Sequence, residues 1–314
     1  LRVMSWTTSR WLSQRRDGLQ RWAQELGIRY VLEGHIQDTR RGWEVQVRLV
    51  DALHDQIVYV NRLRCPVKSL LQAQGELAAA VAEHLHLHVQ GHPLELFWSE
   101  PVDVRASVAF MHACSILAEA PSPRYLQARD LLMQAQEWSP GYAPATAACI
   151  RAEMHLANYV PDKNRYGQYT QWKARLDACL SVAPHSQQVR YSQGFLVGWY
   201  EFDWSQAIAA FEKLIEHAPS DASSAKYLAQ SAALAGDPSR ASISAQRLAQ
   251  VDQTPMALCS QAYVLQWQGR LAEAVTLYER ALALDPLNVH ARIWAIAING
   301  MYIKNGAEAR RHLD

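Results

Sequence analysis

The densest cluster of potential metal ligands in this 314-residue sequence is a run of histidines that follows Glu83. Its members are His84, His86, His88 and His92. On a helix, His84 and His88 lie one turn apart and could share a metal ion, with Glu83 close by. The order of residues does not match the H-E-x-x-H arrangement of zinc peptidases, and a solvated helix end explains the alternating Leu and His. We therefore predict no cofactor and no metal, and metal binding by these histidines stays an open alternative.

Cysteine is the second residue type that could carry chemistry. The five cysteines are Cys65, Cys114, Cys149, Cys179 and Cys259. They are odd in number, lie far apart and form no C-x-x-C pair, which argues against a disulfide framework. The sequence therefore predicts a reducing compartment, the cytoplasm.

Sequence patterns that mark an active site are missing. The sequence contains no G-x-S-x-G, no Gly-rich phosphate loop ahead of Lys-Ser/Thr and no G-x-G-x-x-G. Cys259 stands in a predicted helix with no neighbouring His to activate it, so we expect an inert, small apolar side chain. The sequence therefore predicts a protein that binds rather than an enzyme.

Basic residues are concentrated near the amino terminus. Residues 1–50 contain nine arginines against five acidic residues, and Arg10, Arg15, Arg16 and Arg21 follow one predicted helix. They could meet phosphates or an acidic protein. No helix-turn-helix pattern and no aromatic platform for nucleic acid accompanies them, and the whole chain has a net charge of only +1. A solvated helix face is the simpler interpretation, so we expect DNA contact only through a domain outside this chain.

Composition divides the chain into two parts. Apolar residues make up 49% of the sequence, enough for a buried core, and no apolar run reaches the length of a membrane span. Of 47 alanines, only 7 fall within the first 100 residues. The sequence therefore predicts a change of architecture near Pro101, with domains at 1–98 and 99–314.

The first domain alternates between two periodicities. A short strand is predicted at Leu1–Trp6, followed by an amphipathic helix that begins after Thr7 and ends at Gly27. Period-two alternation then predicts strands at 28–36, 43–49 and 57–63, and a capping box at Ser69 predicts a helix to about His88. The predicted order is β-α-β-β-β-α, a small α+β subdomain.

The alanine-rich part repeats one spacing of small and large apolar residues followed by proline. The matches are Ala128, Leu132, Ala135 and Pro140; Ala207, Phe211, Leu214 and Pro219; Ala241, Ala245, Leu248 and a displaced Pro255; and Ala274, Tyr278, Ala281 and Pro286. Ala207, Ala241 and Ala274 are 34 and 33 residues apart. The pattern resembles the 34-residue tetratricopeptide repeat (TPR), in which small residues let paired helices approach closely. The predicted fold is mainly α, a TPR-like α-solenoid preceded by the α+β subdomain.

Two stretches of the predicted array depart from the regular repeat. The helical pattern of 141–184 is interrupted at Tyr159–Asp162, which predicts an inserted loop. The stretch 289–303 predicts another first helix, and 307–314 predicts a second helix that is cut short. Together with the strand already in progress at Leu1, these ends lead us to expect that both domains are incomplete.

A family resemblance rests on three segments of the first domain, 1–5, 25–34 and 45–52. They resemble the TolB-amino-terminal-like subdomain, which precedes TPR arrays in HilA- and CadC-type bacterial winged-helix regulators and in class III adenylate cyclases. The first kind implies the sensory and interaction region of a virulence-type transcriptional regulator, located in the bacterial cytoplasm. The second implies the regulatory region of a cyclase, and a CadC-like arrangement would place the chain in the periplasm. In each case the expected partner is a protein, a second copy of the chain or a small effector.

The repeat registers predict which side chains face a partner. A concave surface built from the first helix of each pair would carry Arg151, His155, Trp199, Tyr200, Lys226, Gln230, Tyr263 and Trp267. Aromatic residues and Arg are frequent anchors of protein partners, although packing between repeats is the simpler interpretation for Trp199 and Trp267. A cap for a terminal carboxylate would need Lys and Asn at corresponding positions of consecutive repeats. Those positions hold Ser192 and Leu196, Lys226 and Gln230, and Cys259 and Tyr263, so we do not expect that ligand.

Overall fold

The computed structural model describes residues 4–13, 19–39, 42–65, 70–85, 103–118, 124–157, 165–303 and 306–312. The chain divides into two compact units, one formed by 15–108 and the other by 1–14 together with 109–314. None of the helices in the described ranges is both long enough and apolar enough to span a bilayer.

The smaller unit is built around a three-stranded antiparallel sheet of order β1-β2-β3. Its elements are α2 (Leu19–Leu26), β1 (Tyr30–Thr39), β2 (Gly42–Asp51), β3 (Gln56–Cys65) and α3 (Leu70–His84). Val45 and Val47 of β2 pack with Leu77 of α3 in a small apolar core. On the alternate positions, Glu44 and Arg48 form ion pairs with residues of the neighbouring strands. Apolar side chains of β2 therefore point to the core and charged ones to solvent, as the period-two pattern predicts for a sheet with one solvated face.

The larger unit contains helices that follow one another in antiparallel pairs. They are α4 (Val104–Leu117), α5 (Tyr125–Trp138), α6 (Ala143–Ala157), α7 (Arg165–Val182), α8 (Gln187–Trp199), α9 (Trp204–His217), α10 (Ala222–Leu234), α11 (Pro238–Val251), α12 (Pro255–Trp267), α13 (Leu271–Leu284), α14 (Val289–Ala297) and α15 (Gly306–Arg311). A π-helical turn, Ile298–Tyr302, extends α14. Asp and Ser side chains cap many of these helices, as Asp203 does by accepting the Gln206 amide at 3.0 Å. The predicted class, a mainly α repeat array with a small α+β part, is confirmed.

The repeated small residues lie where paired helices approach closely. Ala128, Ala207, Ala241 and Ala274 are completely buried. A Cβ atom added to Gly198 of α8 would lie 3.1 Å from the Cβ of Ala207, so these helices leave no room for a larger pair. The register of the predicted repeat is therefore confirmed in all four pairs.

The amino-terminal segment differs from the prediction. Within the described residues, Met4 and Ser5 form no strand, and helix α1 (Trp6–Ser13) begins directly after them. Ser5 caps this helix by accepting the Thr8 amide at 3.1 Å, a local hydrogen bond that outweighs the weak strand pattern. The single long helix predicted up to Gly27 is instead α1 and α2, and α1 belongs to the larger unit.

Helix α1 is fixed to the corner between α11 and α12. The Ser5 amide donates to the Val251 carbonyl at 2.7 Å. The buried Thr8 hydroxyl donates to Asp252 at 3.1 Å and accepts the Gln253 amide at 2.9 Å. Arg10, further along the helix, donates to the Ser115 hydroxyl of α4. Helix α1 therefore links the first helical pair to the turn between the fourth and fifth pairs.

Pro255 corrects another detail of the prediction. It does not close the preceding repeat; α11 ends at Val251, and Pro255 begins α12 after its cap Thr254. Proline fits the first turn of a helix because its missing N–H would have no partner there. The loop predicted at Tyr159–Asp162 and the predicted boundary at 98/99 lie outside the described residues, so they stay predictions.

Candidate interaction surface

Seven of the eight residues of the predicted concave surface lie on first helices, and Tyr200 directly follows α8. Arg151 and His155 lie on α6, Trp199 on α8, Lys226 and Gln230 on α10, and Tyr263 and Trp267 on α12. The structure places most of these side chains in two aromatic groups, and the charge of Lys226 acts on one histidine in each group.

Arg151 is nearly buried, with 8% of its surface exposed. Its guanidinium lies 4.6 Å from the ring centroid of Tyr191. With its amide oriented to present the oxygen, Gln188 accepts from Nη1 and Nη2 at 2.8 and 3.1 Å. Burial raises the pKa of the adjacent Cys114 to about 11 even though Arg151 lies beside it. In the part of the chain that the structure describes, no carboxylate forms an ion pair with Arg151.

His155 is held between two aromatic rings. Its ring centroid lies 5.1 Å from that of Tyr125 and 4.7 Å from that of Phe195. Burial, with the positive charges of Arg151 and Lys226, lowers the pKa of His155 well below its usual value of 6.5. At neutral pH this histidine is therefore uncharged, and its position is that of a packed aromatic side chain.

Trp199 belongs to the packing between repeats. It stacks on Phe195 with ring centroids 5.3 Å apart and meets the edges of Tyr227 and Trp204. Tyr200 makes a different contact, since its hydroxyl donates to the Met154 carbonyl at 2.6 Å. Both residues therefore join α8 to neighbouring helices rather than offering a free surface.

Lys226 is the residue of the predicted concave surface that acts on histidines of two other first helices. Its Nζ lies 4.3 Å from the ring centroid of the neighbouring Tyr227. Its charge contributes to lowering the pKa of His155 on α6 and that of His290 on α14, which burial and this charge reduce to about 4. Among the described residues, no carboxylate lies within 4.0 Å of its amine. Gln230, one turn later on α10, is half-buried.

The second aromatic group lies on α12 and α14. Tyr263 contacts Trp267 and Trp294, with ring centroids 6.0 and 6.4 Å apart, and His290 lies 6.5 Å from Trp294. Trp267 is 55% exposed, unlike the stacked Trp199. Phe195, Tyr227, His290 and Trp294 were not predicted for this surface. For Phe195 and Trp294, the signal that could have found them was their spacing of four residues from Trp199 and His290.

Other chemically active side chains are occupied or buried. Burial raises the pKa of Cys259 to about 12, so its thiol stays protonated at neutral pH. This agrees with the inert Cys259 that the sequence predicts. The four cysteines Cys114, Cys149, Cys179 and Cys259 are free thiols. Of the histidine run, only His84 lies in the described residues, where its ring centroid is 4.8 Å from that of Tyr59.

An acidic cluster at the last helical pair is already neutralised. Glu279, Glu308 and His312 bring one ligand atom each within 4.8 Å of one another. However, Arg311 donates to Glu279 at 3.2 Å and pairs with Glu308 at 2.6 Å. A guanidinium between two carboxylates disfavours a metal cation there, so the arrangement is an ion-pair network.

The pair α12 and α13 carries the repeat pattern in its most complete form. Ala262, Ala274, Tyr278 and Ala281 are all completely buried between these helices and their neighbours. Residues 255–288 match the tetratricopeptide repeat. The match covers one pair, and the other TPR-like pairs are assigned from their geometry. No curated protein sequence matches the chain.

Two solved structures share this fold. A thermophilic TPR protein of Thermus thermophilus has a TM-score of 0.50 and 17% identity, and the alignment covers 62% of this chain and 100% of that one. Human IFIT1, in a dimer with m7Gppp-AAAA, has a TM-score of 0.54 and 11% identity, covering 77% of this chain and 55% of that one. At these identities the likeness concerns the fold alone, that of a TPR solenoid.

Proposed function

We propose that this chain is the sensory and interaction region of a bacterial transcriptional regulator, and that its TPR-like array binds a protein. Two features support the proposal: the resemblance of the first domain to the subdomain of HilA- and CadC-type regulators, and the TPR match at 255–288. DNA would be bound by a winged-helix domain outside these residues. A cytoplasmic location fits the four free thiols Cys114, Cys149, Cys179 and Cys259.

The observation that carries the interaction role is the exposure of Trp267. This indole is 55% exposed at the end of a row of first-helix side chains, next to Tyr263, whose ring in turn contacts Trp294. Exposed tryptophan beside other aromatic residues is typical of the anchor points of protein interfaces. The partner would be another protein or a second copy of the chain, and a small effector is the remaining option.

Site-specific crosslinking tests this role. A photo-crosslinking amino acid in place of Trp267 should capture a protein partner or a second copy in the native bacterium. The matched control replaces Ile243, which is 67% exposed but lies on the second helix α11. The variant Trp267→Ala should weaken binding of the captured protein by about tenfold or more and leave the melting temperature unchanged. Equal capture from both positions, or capture from position 243 alone, would contradict the proposal.

The alternative parent protein is a class III adenylate cyclase with the same two modules. The coding sequence upstream of Leu1 separates the two hypotheses. A winged-helix pattern there supports the regulator, and a nucleotide-cyclase pattern with metal-binding aspartates supports the enzyme.

A further inference from the structure

We infer that the concave surface binds acidic side chains of its protein partner, with Lys226 as the residue that contacts their carboxylates. The inference rests on the proposed function, and it adds the chemical class of the partner segment. Four residues define what we name the basic centre: the cations Arg151 and Lys226, and the histidines His155 and His290, which are uncharged at neutral pH.

The first argument is the unbalanced charge of Arg151. The residue is more than nine-tenths buried, and the close partners of its guanidinium are a tyrosine ring, an amide oxygen and a thiol, none of them an anion. A buried charge without a counter-charge is destabilising, and neutral hydrogen bonds offset only part of that cost. The array therefore maintains a positive potential that an anionic ligand would neutralise.

The second argument is the effect of Lys226 on two histidines. His155 and His290 belong to different first helices, α6 and α14, and the charge of Lys226 disfavours protonation of both. No acidic residue contributes to either shift. Asp221 acts on the nearby Tyr191, but it is already engaged as the cap of α10, where it accepts from Ser223 and Ser224. The basic centre thus has positive groups and no free carboxylate of its own among the described residues.

The number of cations and the aromatic side chains that accompany them favour an acidic peptide over other anions. Nucleic acid is bound through many phosphate contacts along a groove, whereas this centre has two permanent cations, Arg151 and Lys226. The tyrosine ring beneath Lys226 and the exposed Trp267 provide apolar contacts that a peptide backbone and its side chains can use. A terminal carboxylate is disfavoured because the corresponding positions of the adjacent repeats hold Leu196 and Tyr263. Internal Asp or Glu side chains are therefore the expected ligands.

Fluorescence anisotropy with a labelled synthetic peptide tests the inference on the intact 314-residue chain. The probe contains Glu, Ala and Tyr and is amidated at its carboxyl end, and a matched probe has Gln in place of Glu. The Gln probe should bind about tenfold more weakly or worse. The variant Lys226→Gln should weaken binding of the Glu probe by about tenfold, and Lys226→Arg should retain it. The control Lys213→Gln removes the same charge from an exposed site on α9 and should stay within about twofold of wild type.

Several results would overturn the inference. One is equal affinity for the Glu and Gln probes, and another is an equal loss of affinity for the Glu probe in Lys226→Gln and Lys213→Gln. The others are stronger binding to a single-stranded oligonucleotide of the same charge and a requirement for a free terminal carboxylate. If position 267 captures a partner while the Glu probe fails, the proposed function stands and this inference is wrong. If the Glu probe binds through Lys226 while position 267 captures nothing, the inference stands and the anchor role of Trp267 is wrong.

Discussion

At the scale of single residues, two histidines of first helices, His155 and His290, lie in surroundings that keep them neutral. His290 is half-buried beside Trp294 and within the field of Lys226, which together hold its pKa at about 4. In the unfolded chain the same imidazole has a pKa near 6.5. The folded state therefore binds this proton more weakly than the unfolded state does.

This difference predicts a dependence of stability on pH. The free energy of unfolding should be fully retained above about pH 6.5 and should fall as pH decreases towards 4, because protonation in this window favours the unfolded chain. The contribution of His290 is on the order of 3 kcal/mol. Urea unfolding at a series of pH values should show a smaller decrease in His290→Gln than in wild type. His185→Gln, changed at an exposed histidine, is the control, and parallel profiles for all three proteins would contradict the prediction.

The residues of the candidate site were only partly predictable from sequence. A repeat register identifies the face of a helix, because it depends on local spacing alone. It cannot tell whether the next helix covers that face, which depends on how two repeats pack. Trp199 and Trp267 have equivalent register positions, yet the first stacks on Phe195 and the second is 55% exposed. Whether the eight predicted residues bind a partner stays a prediction.

At the scale of elements, the distance between paired helices is set by their smallest residues. Gly198 on α8 faces Ala207 on α9 so closely that neither position has room for a longer side chain. Ala207→Leu should therefore lower the free energy of unfolding by roughly 1 to 3 kcal/mol through overpacking. Ala209→Leu, at an exposed position of the same helix, should change it by less than about 0.5 kcal/mol. Equal stabilities of the two variants in denaturant unfolding would show that the helix register is wrong.

Elements with strong local signals were predicted well, and those fixed by distant contacts were not. Strand β2 and the paired helices follow from periodicity, because one face of each is buried by its sequence neighbours. Strands β1 and β3 show the same alternation in sequence, although Leu32 and Ile36 of β1 and Ile57 of β3 are more than half exposed. Helix α1 does not, because hydrogen bonds to Asp252 and Gln253 hold it against a turn that no local pattern identifies. The strand predicted at Leu1–Trp6 was wrong in its described part because the local Ser5 cap and these distant hydrogen bonds both favour a helix there.

At the scale of the whole chain, α1 connects helical pairs that are not neighbours in the larger unit. In a simple solenoid each repeat contacts only the next, so stability is close to a sum of local terms. The buried hydroxyl of Thr8 adds to the stability of the array through a hydrogen bond between two segments that are far apart in sequence, α1 and the corner of α11 and α12.

Removing that hydroxyl should weaken the connection. Thr8→Val leaves the partly buried Gln253 amide without its acceptor, at a cost of about 1 to 3 kcal/mol in the free energy of unfolding. Thr276→Val provides the control, since Thr276 is exposed on α13 and bonds only its own helix there. Hydrogen exchange should increase at Val251–Thr254 in the first variant alone. Unchanged protection of these amides would show that α1 does not stabilise the corner.

The attachment of α1 also imposes an order on folding during synthesis. The bond between Thr8 and Asp252 spans 244 residues, and its acceptor lies at the end of the fourth helical pair. The ribosome makes α1 well before α11, but the surface that receives it exists only once α11 and the start of α12 have been translated. Arg10 can reach Ser115 of α4 earlier, but the bonds of Ser5 and Thr8 to the α11–α12 corner form only then, so α1 is among the last helices to be fully attached.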